Sequence, residues 1–127
     1  MHLLAAVPYT EIELTWSRPL SGAAETRARQ LRGALADAFR ADDLFHQHDA
    51  DRRPLYRYPR IHYRWSRGCG IVSGWGEAAE RLLAARWLDL ELVLGDDPVG
   101  IDDVLLTSRR AAFGVSDCLL AYRLRSP

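Results

Sequence analysis

The residues best equipped for chemistry stand close together in the middle third of this chain. His46 and His48 are separated only by Gln47. An imidazole has an ordinary pKa of about 6.5, so both protonation states exist near neutrality, and one ring can accept a proton while another gives one up. Side chains at i and i+2 of an extended loop point the same way, which lets the pair serve one reacting group. Joined by Asp49 or Asp51, the same rings have the donor types of a metal site, although no further His or Cys stands nearby at ligand-like spacing. A third reading makes both histidines solvated loop residues.

Immediately downstream, Arg53, Tyr56, Arg57, Tyr58, Arg60, His62 and Arg64 interleave rings with guanidinium groups. Rings stack on unpaired bases and guanidiniums grip phosphate. Parity sorts the stretch. From Leu55 to Trp65 the odd positions Leu55, Ile61, Tyr63 and Trp65 are mostly apolar, and the even ones are Tyr56, Tyr58, Arg60, His62 and Arg64. The pattern predicts a strand with one core face and one basic, aromatic face. The plainer alternative is an amphipathic strand whose polar side merely meets solvent.

The elements that must position these residues are legible on either side. Pro8 to Trp16 alternates Ile12, Leu14 and Trp16 with Glu11, Glu13 and Thr15, the period of a half-buried strand. Ser21 reads as the cap of a helix from about Gly22 to Phe39, with Ala24, Ala28, Leu31, Leu35, Ala38 and Phe39 at helical spacing. Asp42 to Arg53 is a connecting loop. Ser66 to Gly70 has the content of a tight hairpin, followed by a short strand from Ile71 to Trp75. Glu77, as a cap, opens a second helix ending near Trp87, and Leu88 to Leu94 alternates as a strand that Asp96, Asp97, Pro98 and Gly100 break. Val104 to Arg110 and Cys118 to Leu124 read as a final hairpin, on which Arg109 and Arg110 read as solvated, with contact to nucleic acid the alternative. Strand, helix, strand, strand, helix, strand is the ferredoxin-like order. The expected fold class is therefore α+β: an antiparallel sheet with two helices on one face, plus a C-terminal hairpin.

Bulk properties narrow the function. At 127 residues the chain is expected to fold as one domain, 1–127. Formal net charge is zero, which argues against coating nucleic acid by charge alone. The chain has no lysine, and its arginines crowd between Arg52 and Arg67. No apolar run approaches the roughly 20 residues of a membrane span. The N-terminus lacks the basic region of a signal peptide. Cys69 and Cys118 are far apart and suit neither a disulfide framework nor a zinc knuckle. A cytoplasmic location without membrane association is expected.

Taken together, Leu31-Arg32-Gly33, His46-Gln47-His48, Tyr58-Pro59-Arg60-Ile61-His62-Tyr63 and Ile71-Val72-Ser73-Gly74-Trp75-Gly76-Glu77 occur in an order and spacing with family meaning. The chain resembles the CRISPR repeat-RNA processing endoribonucleases, subtype I-B branch, from about Leu31 onward. Those enzymes carry a Leu-basic-Gly turn on a helix, a His-x-His loop and a Tyr-Pro-x-Ile-Gln-Tyr strand. His62 stands where the family usually has Gln. A family lysine on the first helix falls at about Ala38, leaving Arg40 as a substitute in charge.

The resemblance implies CRISPR RNA maturation in antiviral defence, without metal or other cofactor. A ribose 2′-hydroxyl attacks the adjacent phosphorus and leaves a 2′,3′-cyclic phosphate and a free 5′-hydroxyl. His46 and His48 are then the catalytic base and acid. Arg40, Arg53, Tyr56, Arg57, Tyr58, Arg60, His62 and Arg64 are the RNA-binding set. The expected partner is CRISPR repeat RNA. Full-length relatives are about twice as long, with a second ferredoxin-like domain bearing a glycine-rich loop that this sequence lacks. A truncated chain and a natural single-domain relative are both open; in the latter, grip on RNA falls to a homodimer or to other CRISPR effector subunits. A non-catalytic RNA-binding subunit and an unrelated ferredoxin-like ligand or metal binder complete the alternatives.

Overall fold

The computed structural model describes residues 7–40, 61–111 and 118–125. In chain order the elements are β1 (Val7–Trp16), α1 (Ala24–Ala38), β2 (Ile61–Ser66), β3 (Cys69–Trp75), α2 (Glu77–Ala84), a 3-10 turn (Trp87–Asp89), β4 (Glu91–Leu94), β5 (Asp97–Ala111) and β6 (Cys118–Arg125). All strand pairs are antiparallel, in the order β2-β3-β1-β5-β4, with β6 also paired to β5.

Alternation in β1 decides the layering. Thr10, Ile12, Leu14 and Trp16 are buried on the face against which α2 packs, and Tyr9, Glu11, Glu13 and Thr15 take the other side. Both helices cover the first face: Leu31 and Leu35 of α1 and Ala78 and Leu82 of α2 join Ile12, Leu14, Ile61, Trp65, Val72, Val104 and Leu106 in one core cluster. Trp16 and Trp65 stack there at 5.6 Å and 13°. Gly70 lies beneath them, and a Cβ at that position would come within 2.8 Å of the Trp16 ring and 2.9 Å of Leu31. The expected ferredoxin-like α+β class is what the protein adopts.

Which strand stands fourth differs from the sequence reading. The expected Leu88–Leu94 strand is only Glu91–Leu94, because residues 87–89 close a 3-10 turn and Trp87 anchors it by donating Nε1–H to the Leu82 carbonyl at 2.8 Å. The place beside β1 belongs to β5, the first arm of the expected terminal hairpin. The cause is the two-residue turn Gly95-Asp96. Gly95 takes φ +68°, and so short a turn pairs β4 with the strand that follows it. Pro98 and Gly100 thus lie inside β5. Pro98 sits opposite Val93, one step from the turn-closing pair, where the antiparallel ladder asks for no N–H toward β4.

Other boundaries shift for local reasons. The helix N-cap is Ala23, without a side-chain cap. Ser21 serves instead through its carbonyl, which accepts from Arg27 Nε at 2.8 Å. Arg27 also donates to the Leu94 carbonyl at 3.1 Å and to Asp97 Oδ2 at 2.9 Å, tying α1 to the β4–β5 turn. Hydrogen bonds from Arg27 and Arg18 hold the Asp97 carboxyl below its usual range. Glu77 is a first-turn residue after the N-cap Gly76, ion-paired to Arg81 at 3.3 Å. The β2–β3 hairpin turns on Arg67 and Gly68 alone, with φ +54° and +78°, the two left-handed positions of a type I′ turn. Register places Cys69 level with Asp103 and Cys118 opposite Arg110, about 23 Å apart along β5 at roughly 3.3 Å per residue. That excludes a disulfide between them.

Candidate nucleic-acid interface

The expected strand ran from Leu55 to Trp65, and its described part begins at Ile61. There the parity argument holds. Ile61 and Trp65 are buried, Tyr63 packs against the core, and His62, Arg64 and Ser66 are exposed. His46, His48, Arg53, Tyr56, Arg57, Tyr58 and Arg60 lie outside the described residues, as do Asp49 and Asp51 of the metal alternative.

Directly paired residues of antiparallel strands share a face, so register maps the surface on which His62 and Arg64 lie. One row runs His62, Ser73, Glu11, Thr107, and the next Arg64, Ile71, Glu13, Leu105. Ile71 is buried yet stands outside the core cluster, as its place on this second face requires. Arg64 does not project alone. Its Nη2 donates to Glu11 Oε1 at 3.1 Å, and the Tyr9 hydroxyl donates to the same oxygen at 3.0 Å.

A shallow groove of about 350 Å³ runs between α1 and β2, lined by Glu25, Ala28, Arg29, Arg32, Ile61, His62 and Tyr63. Positions 25, 28, 29 and 32 form one helical stripe flanking the core stripe of Leu31 and Leu35. Burial pushes the Tyr63 phenol up to about 12, with Arg32 pulling the other way, and the Tyr63 hydroxyl has no hydrogen-bond partner among the described residues. Two guanidiniums, an imidazole and a phenol thus share one groove with a single carboxylate. Arg29 and Arg32 were absent from the sequence-derived RNA set. Their spacing was visible, but which flank of α1 meets β2 was not. Arg40 is ion-paired to Asp37 at 2.6 Å and does not line the groove; it lies roughly two helical turns beyond Arg32. Among the described residues no group of three or more His, Cys, Asp or Glu is gathered to hold a metal, and no helix is long and apolar enough to cross a membrane.

The strand–helix–strand–strand–helix–strand order, with β3 and β5 flanking β1 and both described helices on one face of the sheet, defines a ferredoxin-like domain. The family model for the Cas6b N-terminal domain matches residues 5–111. The chain belongs to that family. A crystal structure of Cas6b is similar to it in fold, with a TM-score of 0.64 and 21% identity over 90% of this chain and 51% of the other. The chain therefore spans about half the length of that protein. No curated protein matches it significantly.

Proposed function

We propose that this chain acts in CRISPR RNA maturation, in metal-independent endoribonucleolytic cleavage of repeat RNA. The observation that carries the reading is the family match over residues 5–111, which takes in His46, His48 and the whole of β2. His46 and His48 act as base and acid: one removes the proton of the ribose 2′-hydroxyl, the other protonates the departing 5′-oxygen, and the products are a 2′,3′-cyclic phosphate and a 5′-hydroxyl. Positive charge has to offset the charge that builds on phosphorus. Arg29 and Arg32 in the α1–β2 groove, with Arg40, Arg53, Arg57, Arg60 and Arg64, supply guanidiniums, while Tyr56, Tyr58 and His62 offer rings to bases. In this reading the bound partner is repeat RNA.

Labelled repeat RNA incubated with the protein in EDTA tests the proposal. Cleavage to a cyclic phosphate is expected. His46→Ala and His48→Ala should each slow single-turnover cleavage about a hundredfold to ten-thousandfold while affinity stays within a few fold. Retention without cutting makes the chain an RNA-binding subunit. Cleavage that is indifferent to both substitutions removes the histidines from the mechanism.

A further inference from the structure

The sheet face opposite the two described helices carries rings and a cation in one row. Register sets Trp75 opposite Tyr9, and Tyr9 opposite Arg109, so all three side chains project to the same side. The Tyr9 and Trp75 rings are 4.7 Å apart and tilted at 51°. The Arg109 guanidinium carbon lies 4.7 Å from the Tyr9 centroid and 5.6 Å from that of Trp75. Core packing does not account for this cluster, because none of the three belongs to the core. Trp16, Trp65 and Trp87 are 5%, 8% and 3% exposed, whereas Trp75 is 38% exposed. The chain thus buries three of its four tryptophans and leaves this one open.

A part-exposed indole beside a guanidinium offers a π surface and positive charge together, the combination on which single-stranded nucleic acids lay successive bases. The nearest acid in the row below, Glu11, is already engaged by the Tyr9 hydroxyl and by Arg64, so its charge is partly neutralised. In the RNA reading above, the row adjoins the proposed contacts on β2. Ile61 pairs with Gly74, which places Trp75 at the end of the sheet where β2 begins, one row from His62.

We infer that Tyr9, Trp75 and Arg109 form a stacking site for an unpaired RNA base. Trp75 presents the surface, Tyr9 fixes the tilt of the indole, and Arg109 holds positive charge against the adjoining backbone. The inference rests on the RNA reading above but uses none of the residues assigned there.

Tryptophan emission reads the site directly, since three of the four indoles are buried. The probe is an unstructured oligoadenylate of about eight nucleotides, within the usual span of such sites. Added to the wild-type protein, it should quench emission and shield the exposed indole from acrylamide. Trp75→Leu should abolish the quench and weaken binding about fivefold to a hundredfold, and Trp75→Phe should retain most of the affinity. Oligoadenylate that binds with emission unchanged, or binds Trp75→Leu as tightly as wild type, overturns the inference and leaves the RNA reading standing with its contacts on β2. A wild-type protein that binds neither oligoadenylate nor repeat RNA overturns both. Shielding of the indole by a second copy of the chain, without RNA, assigns the row to a protein interface instead. Should Trp75→Leu fail to fold, the quench and shielding in wild type decide the matter.

Discussion

Replacing Glu11 with Gln should tighten RNA binding, and should do so only while Arg64 is present. The guanidinium of Arg64 is ion-paired to Glu11 at 3.1 Å, with the two side chains 57% and 30% exposed. A pair at such exposure is worth about 0.2–1 kcal/mol. A phosphate that recruits Arg64 must first break it. Glu11→Gln returns that energy and lowers Kd by about 1.4- to 5-fold, while the amide oxygen still accepts from the Tyr9 hydroxyl. Arg64→Ala removes one phosphate contact, so the slope of log affinity against log salt should flatten by about 0.7, the value for a single strand. In the Arg64→Ala background the Gln substitution has no guanidinium to release, and the remaining field of one carboxylate is screened beyond about 8 Å at physiological salt. The four proteins of this cycle, titrated by fluorescence anisotropy on repeat RNA over a range of salt, give the coupling directly. Equal tightening in both backgrounds would show a general field effect rather than release of Arg64. An unchanged salt slope in Arg64→Ala would take that residue off the RNA path altogether.

Two further outcomes concern the framework of the same surface. Arg67 occupies a left-handed position at φ +54° ahead of Gly68, and Asn-Gly is the preferred pair for such a turn, so Arg67→Asn should stabilise the protein by up to about 1 kcal/mol and raise Tm by about 4 °C in calorimetry; a lower Tm counts against the I′ assignment. Tyr63 keeps its phenolic proton to about pH 12 when folded, whereas an unfolded phenol loses it near pH 10. Stability should therefore fall as pH rises from about 10 to 12, by up to about 2–3 kcal/mol. Tyr63→Phe should remove that decline in urea titrations and match or exceed wild type by about 1 kcal/mol at neutral pH, because the hydroxyl it deletes is buried without a partner among the described residues. An alkaline decline that survives the substitution belongs to another group.

Periodicity was the readable part of the fold. The alternation in β1 and β2 told which residues are core and which face outward, and the helical spacing of Leu31 and Leu35 found α1, because one-sided burial leaves a period in the sequence. Partner choice leaves no period. Leu88 to Leu94 and Val104 to Arg110 both read as strands, and their local sequence did not say which of them lies beside β1. That depended on the Gly95-Asp96 turn, which reads as a break until the flanking residues are seen to pair. The interface divides the same way. His62 and Arg64 were legible from parity alone. The groove of Arg29 and Arg32, and the row of Tyr9, Trp75 and Arg109, join residues of different elements, and only register and helix placement bring them together. His46 and His48 were distinguished from any other His-x-His only by the motif order around them.

The placement of His62 and Arg64 rests on a short strand with few supports. Among the described residues β2 pairs only with β3, so nothing on its far side fixes its register there. A slip of one residue would turn Ile61, Tyr63 and Trp65 outward and drive His62 and Arg64 into the core. Three features oppose it. The Arg67-Gly68 turn sets Ser66 opposite Cys69, and a two-residue I′ turn admits no other pairing of its flanking residues. Trp65 is stacked on Trp16, above a Gly70 that has no room for a side chain. Ile61, at 3% exposure, anchors the other end in the core. The absent side chain at Gly70 and the left-handed backbone at Arg67 are thus functional requirements at one remove. They touch no RNA in this reading, yet they decide which side of β2 an RNA strand would meet.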